Sequence, residues 1–333
     1  MDAINSIVAE IKKKQFKPIY FLMGDEPYYI DEISNLIEKS VLDETEKGFN
    51  QIVMYGRDVS IDEIISAAKR YPMMAEYQVI IIKEAQDLSR TIEKLIDYVE
   101  NLQPTTILVV NYKYKKLDKR KKLHKAIEKV GLVYESKKLY ENDVSEWIRR
   151  VLGGKNYKIE PKAAIMLVEF LGTDLSKISN ELTKLTTILP VDTIISPHHI
   201  EENIGISKDF NNFELRKALG EKQIVKANRI INYFIENPKN NPLVMTISLL
   251  NSFFTQLLLY HGLPTKDKAT VARRLGINIY FVGDYVTAAK NYPMRKVSQI
   301  ISYLREADVK SKGVGANQSQ GDILKELLFK IMH

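Results

Sequence analysis

The feature that most constrains the fold is a change of hydrophobic pattern near residue 138. Before that point, five short apolar runs alternate with amphipathic helical patterns, and the runs lie at residues 18–23, 51–55, 78–82, 106–110 and 132–134. Because the runs are apolar at consecutive positions, they are typical of parallel strands that helices cover on both faces. Residues 1–138 are therefore predicted to form an α/β domain.

After residue 138 the strand patterns end and every periodic segment is helical. The predicted helices are 141–152, 161–171, 174–189, 198–204, 213–219, 221–235, 243–260, 269–275, 280–289, 294–309 and 322–332. Segment 243–260 is the most apolar, but it contains Thr, Ser, Asn and Gln, so it is interpreted as a buried bundle helix and not a membrane span. We predict a small helical domain at 139–209 and a larger one at 210–333.

Composition excludes several classes of function. The 333 residues contain no cysteine, which rules out disulfides, thiol catalysis and cysteine-ligated zinc. The excess of 49 Lys and Arg over 42 Asp and Glu is mild, and is compatible with a nucleic-acid partner without requiring one. The N-terminal segment lacks the pattern of a signal peptide. His198 and His199 lack the spacing of a helical zinc site. We expect a cytoplasmic protein with no metal and no cofactor.

The turn after the first run has the place of a phosphate-binding loop but not its residues. If Gly24 opened such a loop, residues 29–31 would have to supply Gly, Lys and Ser/Thr, and they are Tyr-Ile-Asp. Asp25 and Glu26 would repel a polyphosphate, and Lys83 stands where an ATPase places a magnesium-binding Asp. Either the domain is unrelated to ATPases, or it is of the ATPase type and has lost its site.

Four segments, in order along the chain, carry a resemblance to a known family. They are PIYFLMGDEPYYIDE at 18–32, LDKRKKL at 117–123, FLGTDLSKISNELTKL at 170–185 and the segment 271–313. Over almost its whole length the chain resembles the delta subunit family of bacterial DNA polymerase III. The related delta-prime subunits carry a cysteine zinc site and a Ser-Arg-Cys motif, which a chain without cysteine cannot have.

The resemblance implies both a fold and a function. The fold would be an α/β, AAA+-like parallel-sheet domain without a functional phosphate loop, followed by a small helical lid and a helical collar. The function would be that of a clamp loader subunit, which binds and opens the beta sliding clamp for loading onto primed DNA. No catalytic residue is expected, so the chain would belong to a DNA-directed DNA polymerase, a nucleotidyltransferase, only by membership of the complex. The other partners would be the gamma/tau motor subunits and delta-prime, in the bacterial cytoplasm and not at a membrane.

The resemblance also implies where the clamp would bind. In the family, the clamp-opening element lies between the helix after strand two and strand three, and here that segment contains Tyr71, Pro72, Met73 and Met74. Methionine fills irregular apolar pockets well, and proline ends the preceding helix. The alternative is that both methionines are core residues at the end of a helix, because apolar residues are usually buried.

A basic run between 112 and 125 is the candidate DNA-binding segment. The candidate residues are Lys113, Lys115, Lys116, Lys119, Arg120, Lys121 and Lys122, together with Tyr280 in the last domain. Contact with DNA phosphates and a solvated surface are both compatible with the run. Tyr280 could stack on the end of primed DNA or pack in the core. Two other functions stay open, namely an active ATPase with an unusual site and a stand-alone AAA+-like DNA-binding protein.

Overall fold

The computed structural model describes residues 2–207, 209–314 and 318–333. They form two compact units, Met1–Leu139 and Tyr140–His333. The first unit contains the predicted parallel sheet, and the second is mainly helical, so the mixed α/β and all-α architecture is confirmed. The division of the second unit into a lid at 139–209 and a collar at 210–333 stays a prediction.

The five predicted strands form one parallel sheet. They are β1 (Ile19–Gly24), β2 (Gln51–Tyr55), β3 (Gln78–Lys83), β4 (Thr106–Lys113) and β5 (Leu132–Ser136), in the order β2-β3-β4-β1-β5. β1 lies inside the sheet, where Phe21 is paired with Val110 of β4 and with Val133 of β5. Every residue of β1 is buried, as the run of apolar residues predicts.

Helices cover both faces of this sheet. They are α1 (Asp2–Lys12), α2 (Pro27–Ser40), α3 (Glu44–Asn50), α4 (Ile61–Ala68), α5 (Ile96–Val99) and α6 (Lys122–Val130). Successive residues of β3 point to opposite faces, so Ile80 shares a core with α4 and α6, and Ile81 shares one with α1 and α2. Ser60 and Glu63 have the sequence spacing that predicts a capping box. It is present at the start of α4, since Glu63 N donates to Ser60 Oγ at 3.2 Å and Ser60 N donates to Glu63 Oε2 at 2.7 Å.

Helix α3 lies outside the helices predicted from periodicity. Its sequence, ETEKGFN, has only one large apolar residue, so it carries no apolar stripe. Its start is fixed locally, because Asp43 Oδ1 accepts hydrogen bonds from Thr45 N and Glu46 N, both at 2.9 Å. The helix delivers Asn50 to the position immediately before the edge strand β2.

The second unit is mainly helical, and its helices from residue 212 onwards share one hydrophobic core. Its helices are α7 (Glu141–Gly153), α8 (Pro161–Leu171), α9 (Leu175–Ile188), α10 (Pro197–Ile204), α11 (Asn212–Gly220), α12 (Ile224–Glu236), α13 (Leu243–Gly262), α14 (Lys268–Leu275), α15 (Val282–Asn291), α16 (Met294–Ser311) and α17 (Gln320–Met332). α13 is long and apolar enough to cross a membrane by length and composition alone. Eight of its residues are buried, and seven of them, including Phe253 and Phe254, belong to this core, as expected for a bundle helix.

Three predicted features differ in the structure. The apolar spacing of Ile92, Leu95, Ile96 and Val99 predicts one helix, but the segment forms a 3-10 helix, Ile92–Leu95, followed by the short α5. The predicted helix at 280–289 begins with a 3-10 turn, Ile279–Phe281. The statement that strands end at residue 138 is wrong, because β6 (Lys158–Ile159) pairs with β7 (Ile194–Ile195) in parallel. Strands of two residues have no alternation that periodicity can detect.

Candidate functional site

The loop between α4 and β3 carries the candidate clamp-binding residues. The side chains of Tyr71 and Met73 are 77% and 62% exposed, and that of Met74 is fully exposed, whereas Pro72 is half-buried. The alternative in which both methionines are core residues is therefore wrong. Large apolar side chains usually leave water when a chain folds, so adjacent exposed methionines indicate a surface that a partner can cover.

The backbone of this loop is strained at its tip. Met74 has a φ of 56°, in the left-handed region that residues with a side chain seldom adopt. Such a conformation costs on the order of 1 kcal/mol and persists only where the surrounding structure holds it. A strained tip that exposes apolar side chains is a pattern of functional loops, because stability alone favours neither feature.

Asn50 holds the loop by its side-chain amide. Met73 N donates to Asn50 Oδ1 at 2.6 Å, and Asn50 Nδ2 donates to Met73 O at 2.9 Å, so both main-chain polar groups of Met73 are bound. Asn50 is 2% exposed, and its Nδ2 also donates to Glu46 O at 3.1 Å within α3. The amide thereby fixes the main chain of Met73 and leaves its side chain in solvent.

The first residues of the loop are fixed to the sheet. The buried side chain of Gln78 donates through Nε2 to Arg70 O at 2.5 Å and to Thr106 Oγ1 at 2.6 Å. Thr106 Oγ1 in turn donates to Ala68 O at 2.8 Å. These bonds satisfy carbonyl groups at the end of α4, which have no partner within the helix. The loop is thus held where it leaves α4 and again at Met73.

The turn after β1 is the candidate degenerate nucleotide site. In a phosphate-binding loop, the main-chain N–H groups of this turn point at the ligand. Here they are bound within the chain: Gly24 N donates to Lys115 O at 3.1 Å, and Asp25 N donates to Ser136 O at 3.1 Å. Glu26 N donates to Ser136 Oγ at 3.3 Å. These donors are not available to a phosphate group.

The start of α2 likewise has no main-chain N–H group available to a phosphate at its first two residues. Pro27, the first residue of the helix, has no N–H, and Tyr28 N donates to Glu26 Oε1 at 3.2 Å. Gly24 has a φ of 125°, and a Cβ at this position would lie 2.1 Å from Ser136 O. The glycine therefore allows β5 to approach closely, where a phosphate loop would leave room for a ligand.

An ion-pair network lies at the carboxyl edge of β3 and β4. Lys113 Nζ lies 2.9 Å from Asp31 Oδ1 and 2.9 Å from Glu84 Oε1, and its side chain is 13% exposed. Gln86 Nε2 donates to Glu84 Oε2 at 2.6 Å, and Lys113 N donates to Gln86 Oε1 at 3.2 Å. The charge of the lysine is thus compensated by two carboxylates of the chain itself.

The pKa values in this network favour its charged form. Burial opposes the charge of Lys113, but hydrogen bonds to Glu84 and Asp31 outweigh it and raise the pKa of the lysine. Burial also opposes ionisation of Glu84, and hydrogen bonds from Gln86 and Lys113 outweigh that effect and lower the pKa of this carboxyl. Both groups are therefore charged at neutral pH.

Lys83 ends β3, with its Nζ 3.9 Å from Glu38 Oε2. An ammonium group has no lone pair with which to bind magnesium. Among the residues that the structure describes, no three His, Asp or Glu side chains are grouped so that they could hold a metal ion.

Most of the basic run is bound to other parts of the first unit. The ion pairs are Lys116 with Asp25 and Glu135, Lys119 with Glu135, Arg120 with Asp118, and Lys121 with Glu93. Lys115 Nζ donates to Ser89 Oγ at 2.7 Å. Lys122 is exposed at the start of α6 and makes no ion pair with any described residue. The run therefore offers less free positive charge than its composition indicates.

Tyr280 lies in the second unit, in the 3-10 turn before α15. It is 61% exposed, whereas the next residue, Phe281, is buried in the helical core. Tyr280 N donates to Asn278 Oδ1 at 3.0 Å, which fixes the turn. Of the two adjacent aromatic residues, Phe281 packs in the core and Tyr280 presents its ring to solvent.

Two residues of the candidate site were not found from the sequence. Asn50 contacts a residue 23 positions away, which no local pattern reveals. Phe49, directly before it, has a side chain that is 73% exposed at the end of α3. A short polar segment with a single aromatic residue carries no signal of either role. The exposed ring of Phe49 indicates a role at the surface, but its exposure is known only from the folded structure.

Comparison with known proteins agrees with this architecture. Residues 20–137 match the family model for the DNA polymerase III delta subunit, and residues 209–330 match the model for its C-terminal domain. The DNA polymerase III subunit delta of Bacillus subtilis (strain 168) is 25% identical over 314 residues, covering 91% of this chain and 90% of that protein. The solved Bacillus subtilis DNA clamp loader delta protein has the same fold, with a TM-score of 0.58 at 22% identity over 99% of both chains. Because both family models match in chain order, this chain belongs to the DNA polymerase III delta subunit family.

Proposed function

We propose that this chain is the clamp loader subunit that binds the beta sliding clamp and opens it for loading onto primed DNA. The observation that carries the proposal is the exposure of Met73 and Met74 on a loop whose main chain Asn50 fixes. A loop of this kind can enter an apolar pocket without first having to fold. The chain would thus act as a binding and mechanical subunit.

The methionines supply affinity by leaving water. Full burial of one such side chain is worth about 1.5 to 3 kcal/mol, and residues at the centre of an interface carry most of its energy. The unbranched methionine side chain can adapt to an irregular pocket. Tyr71, which is also exposed on this loop, would contribute at the rim of the same contact. The sliding clamp is a ring closed by interfaces between its parts. A subunit that binds beside one interface can favour the state in which that interface is open.

We further propose that the chain neither binds nor hydrolyses ATP. The turn at Gly24, Asp25 and Glu26 uses its N–H groups within the chain, and Lys113 is already paired with two carboxylates. Lys83 stands where magnesium would need a carboxylate. The energy for loading would then come from ATP binding in the gamma/tau motor subunits. That binding would expose or hide the loop between α4 and β3 that carries Met73 and Met74, here called the methionine loop.

In the assembled loader, the C-terminal helices at 210–333 would bind the motor subunits and delta-prime. Primed DNA would contact the complex, with Lys122 and Tyr280 as candidates on this chain that are exposed and hold no ion pair with a described residue. The exposed members of the basic run that hold ion pairs could exchange them for phosphates only at some energetic cost. That cost argues against a stand-alone DNA-binding protein, the alternative function.

The test is a titration of the full chain with the sliding clamp of the same organism, without nucleotide, by calorimetry. We expect saturable binding in the micromolar range or tighter, with no requirement for ATP or DNA. A parallel titration with primed duplex DNA, at low and physiological salt, tests the alternative.

Clamp binding without strong DNA binding supports the proposal. No clamp binding, together with tight and steeply salt-dependent DNA binding, would overturn it in favour of a DNA-binding protein. If the isolated chain binds neither, the titration is repeated with the assembled loader and ATP. A continued lack of clamp binding would then refute the function.

A further inference from the structure

We infer that Asn50 is a positioning residue for clamp binding, which builds the methionine loop into its binding-competent shape before the clamp arrives. The inference rests on the proposed function, because it assigns a role to a residue that supports the same site. Asn50 does not present its own side chain to solvent, since it is 2% exposed. It therefore acts through the residue that it holds.

The geometry of the contact supports this role. Asn50 binds both Met73 N and Met73 O, at 2.6 and 2.9 Å, which is the pairing that a neighbouring strand would give to one residue. The loop has no strand beside it at this point, so a side-chain amide takes the place of one. Bonding at two groups fixes the orientation of the Met73 main chain as well as its position.

Asn50 is itself held rigidly. Its Nδ2 donates to Glu46 O at 3.1 Å, which fixes the orientation of the amide group. The next residue, Gln51, begins β2 and is paired with Val79 of β3. The loop leads directly into β3. Asn50 therefore links the start of β2 to the segment before β3, its neighbour in the sheet. These contacts fix the position of the loop relative to the sheet.

The consequence for binding is entropic. A free loop would have to be ordered when the clamp binds, and each ordered residue lowers the affinity. With Asn50 in place, the ordering occurs during folding, including the left-handed conformation at Met74. Loss of the amide should release two or three loop residues and weaken clamp binding roughly 10-fold to 100-fold.

The experiment measures clamp affinity of the full-length chain for Asn50→Ala, for Met73→Ala with Met74→Ala, and for the triple variant. If Asn50 acts through the methionines, Asn50→Ala weakens binding on its own but causes no further loss in the double-alanine background. Hydrogen exchange at the Met73 amide should become faster in Asn50→Ala, while exchange in β1, β3 and β4 stays unchanged.

Asn228→Ala is the matched control. Asn228 makes the same bond within its own helix, from Nδ2 to Ile224 O at 2.9 Å, but holds no loop, so its loss should leave clamp affinity unchanged. Asn50→Asp is a second variant of nearly the same size, which keeps the acceptor for Met73 N but places a carboxylate oxygen against Met73 O. It should also weaken binding several-fold, and it serves as the test if Asn50→Ala does not fold.

The outcomes separate the two claims. Wild-type affinity for the double-alanine variant would refute the proposed clamp site itself. A weakened double-alanine variant together with wild-type affinity for both Asn50 variants would overturn only the positioning role. The positioning role would also be overturned if Asn50→Ala lowered clamp affinity by the same factor in the wild-type chain and in the double-alanine variant. Asn50 would then act independently of the methionines.

Discussion

Lys113 Nζ lies 2.9 Å from Glu84 Oε1, at the carboxyl edge of the parallel sheet, which is where open α/β sheets bind their ligands. With Asp31 on its other side, the lysine is part of an internal network that uses the charges a nucleotide site would need. We therefore expect no saturable binding of ATP to the isolated chain at millimolar nucleotide. Calorimetry with and without magnesium measures this, and a stoichiometric binding isotherm would contradict the interpretation.

The same network should contribute to stability. Lys113→Met keeps the apolar stem but leaves the carboxylates of Glu84 and Asp31 without their shared cation, which should lower the free energy of unfolding by about 2 kcal/mol. The control is Lys122→Met, which removes an exposed lysine without an ion pair and should change stability by less than about 0.5 kcal/mol. Urea unfolding measures both, and equal effects would show that the network adds nothing.

A buried glutamate that is paired with two lysines predicts a dependence of stability on pH. Glu214 Oε1 lies 2.6 Å from Lys162 Nζ, and its Oε2 lies 2.5 Å from Lys226 Nζ. Burial opposes ionisation, but these two lysines outweigh it and lower the pKa of Glu214 below its ordinary value. A lowered folded pKa gives stability that is present above the ordinary pKa and is lost as the pH falls through the folded one.

Glu214→Gln should therefore lower the free energy of unfolding by about 2 kcal/mol at neutral pH. This loss is smaller than for a fully buried ion pair, because the lysines are partly exposed. The difference from wild type should shrink as the pH falls below the ordinary glutamate pKa of about 4.3. Urea unfolding over a pH series measures it. A difference that stays constant down to the acid limit would exclude the two lysines as its cause.

The ion pairs of the basic run predict weak DNA binding by the isolated chain. Lys116, Lys119 and Lys121 would each have to leave a carboxylate in order to bind a phosphate. We expect low affinity for duplex DNA at physiological salt, and Lys122→Ala should reduce the salt dependence by about one phosphate contact. Fluorescence anisotropy over a salt series measures this. A steep slope that Lys122→Ala does not change would indicate another DNA-binding surface.

The strands of the first unit could be predicted because burial on both faces leaves uninterrupted apolar runs, as in β1 and β3. The start of α4 could be predicted because the bonds between Ser60 and Glu63 are local in sequence. Helix α3 could not, since it has no apolar stripe, although Asp43 and Glu46 form a local capping box at its start. The strands β6 and β7 are too short to carry a pattern.

The candidate site divides in the same way. Family resemblance located Met73 and Met74, but apolar residues are usually buried, and only the fold shows that these two are exposed. The role of Asn50 depends on a contact between α3 and the loop, which is not encoded in any short segment. The pairing of Lys113 with Glu84 likewise joins the last residue of β4 to the residue that follows β3. Long-range polar contacts are therefore the part of the site that the sequence does not reveal.

We propose that this chain opens the sliding clamp through Met73 and Met74. The most direct measurement is the release of clamps already loaded on nicked circular DNA, after addition of the isolated chain without nucleotide. We predict that the wild-type chain releases clamps well above the spontaneous rate, that Met73→Ala with Met74→Ala does not, and that the control Met294→Ala, at a methionine exposed elsewhere, behaves as wild type. Release by the double variant at the wild-type rate, or no release by the wild-type chain, would contradict the claim.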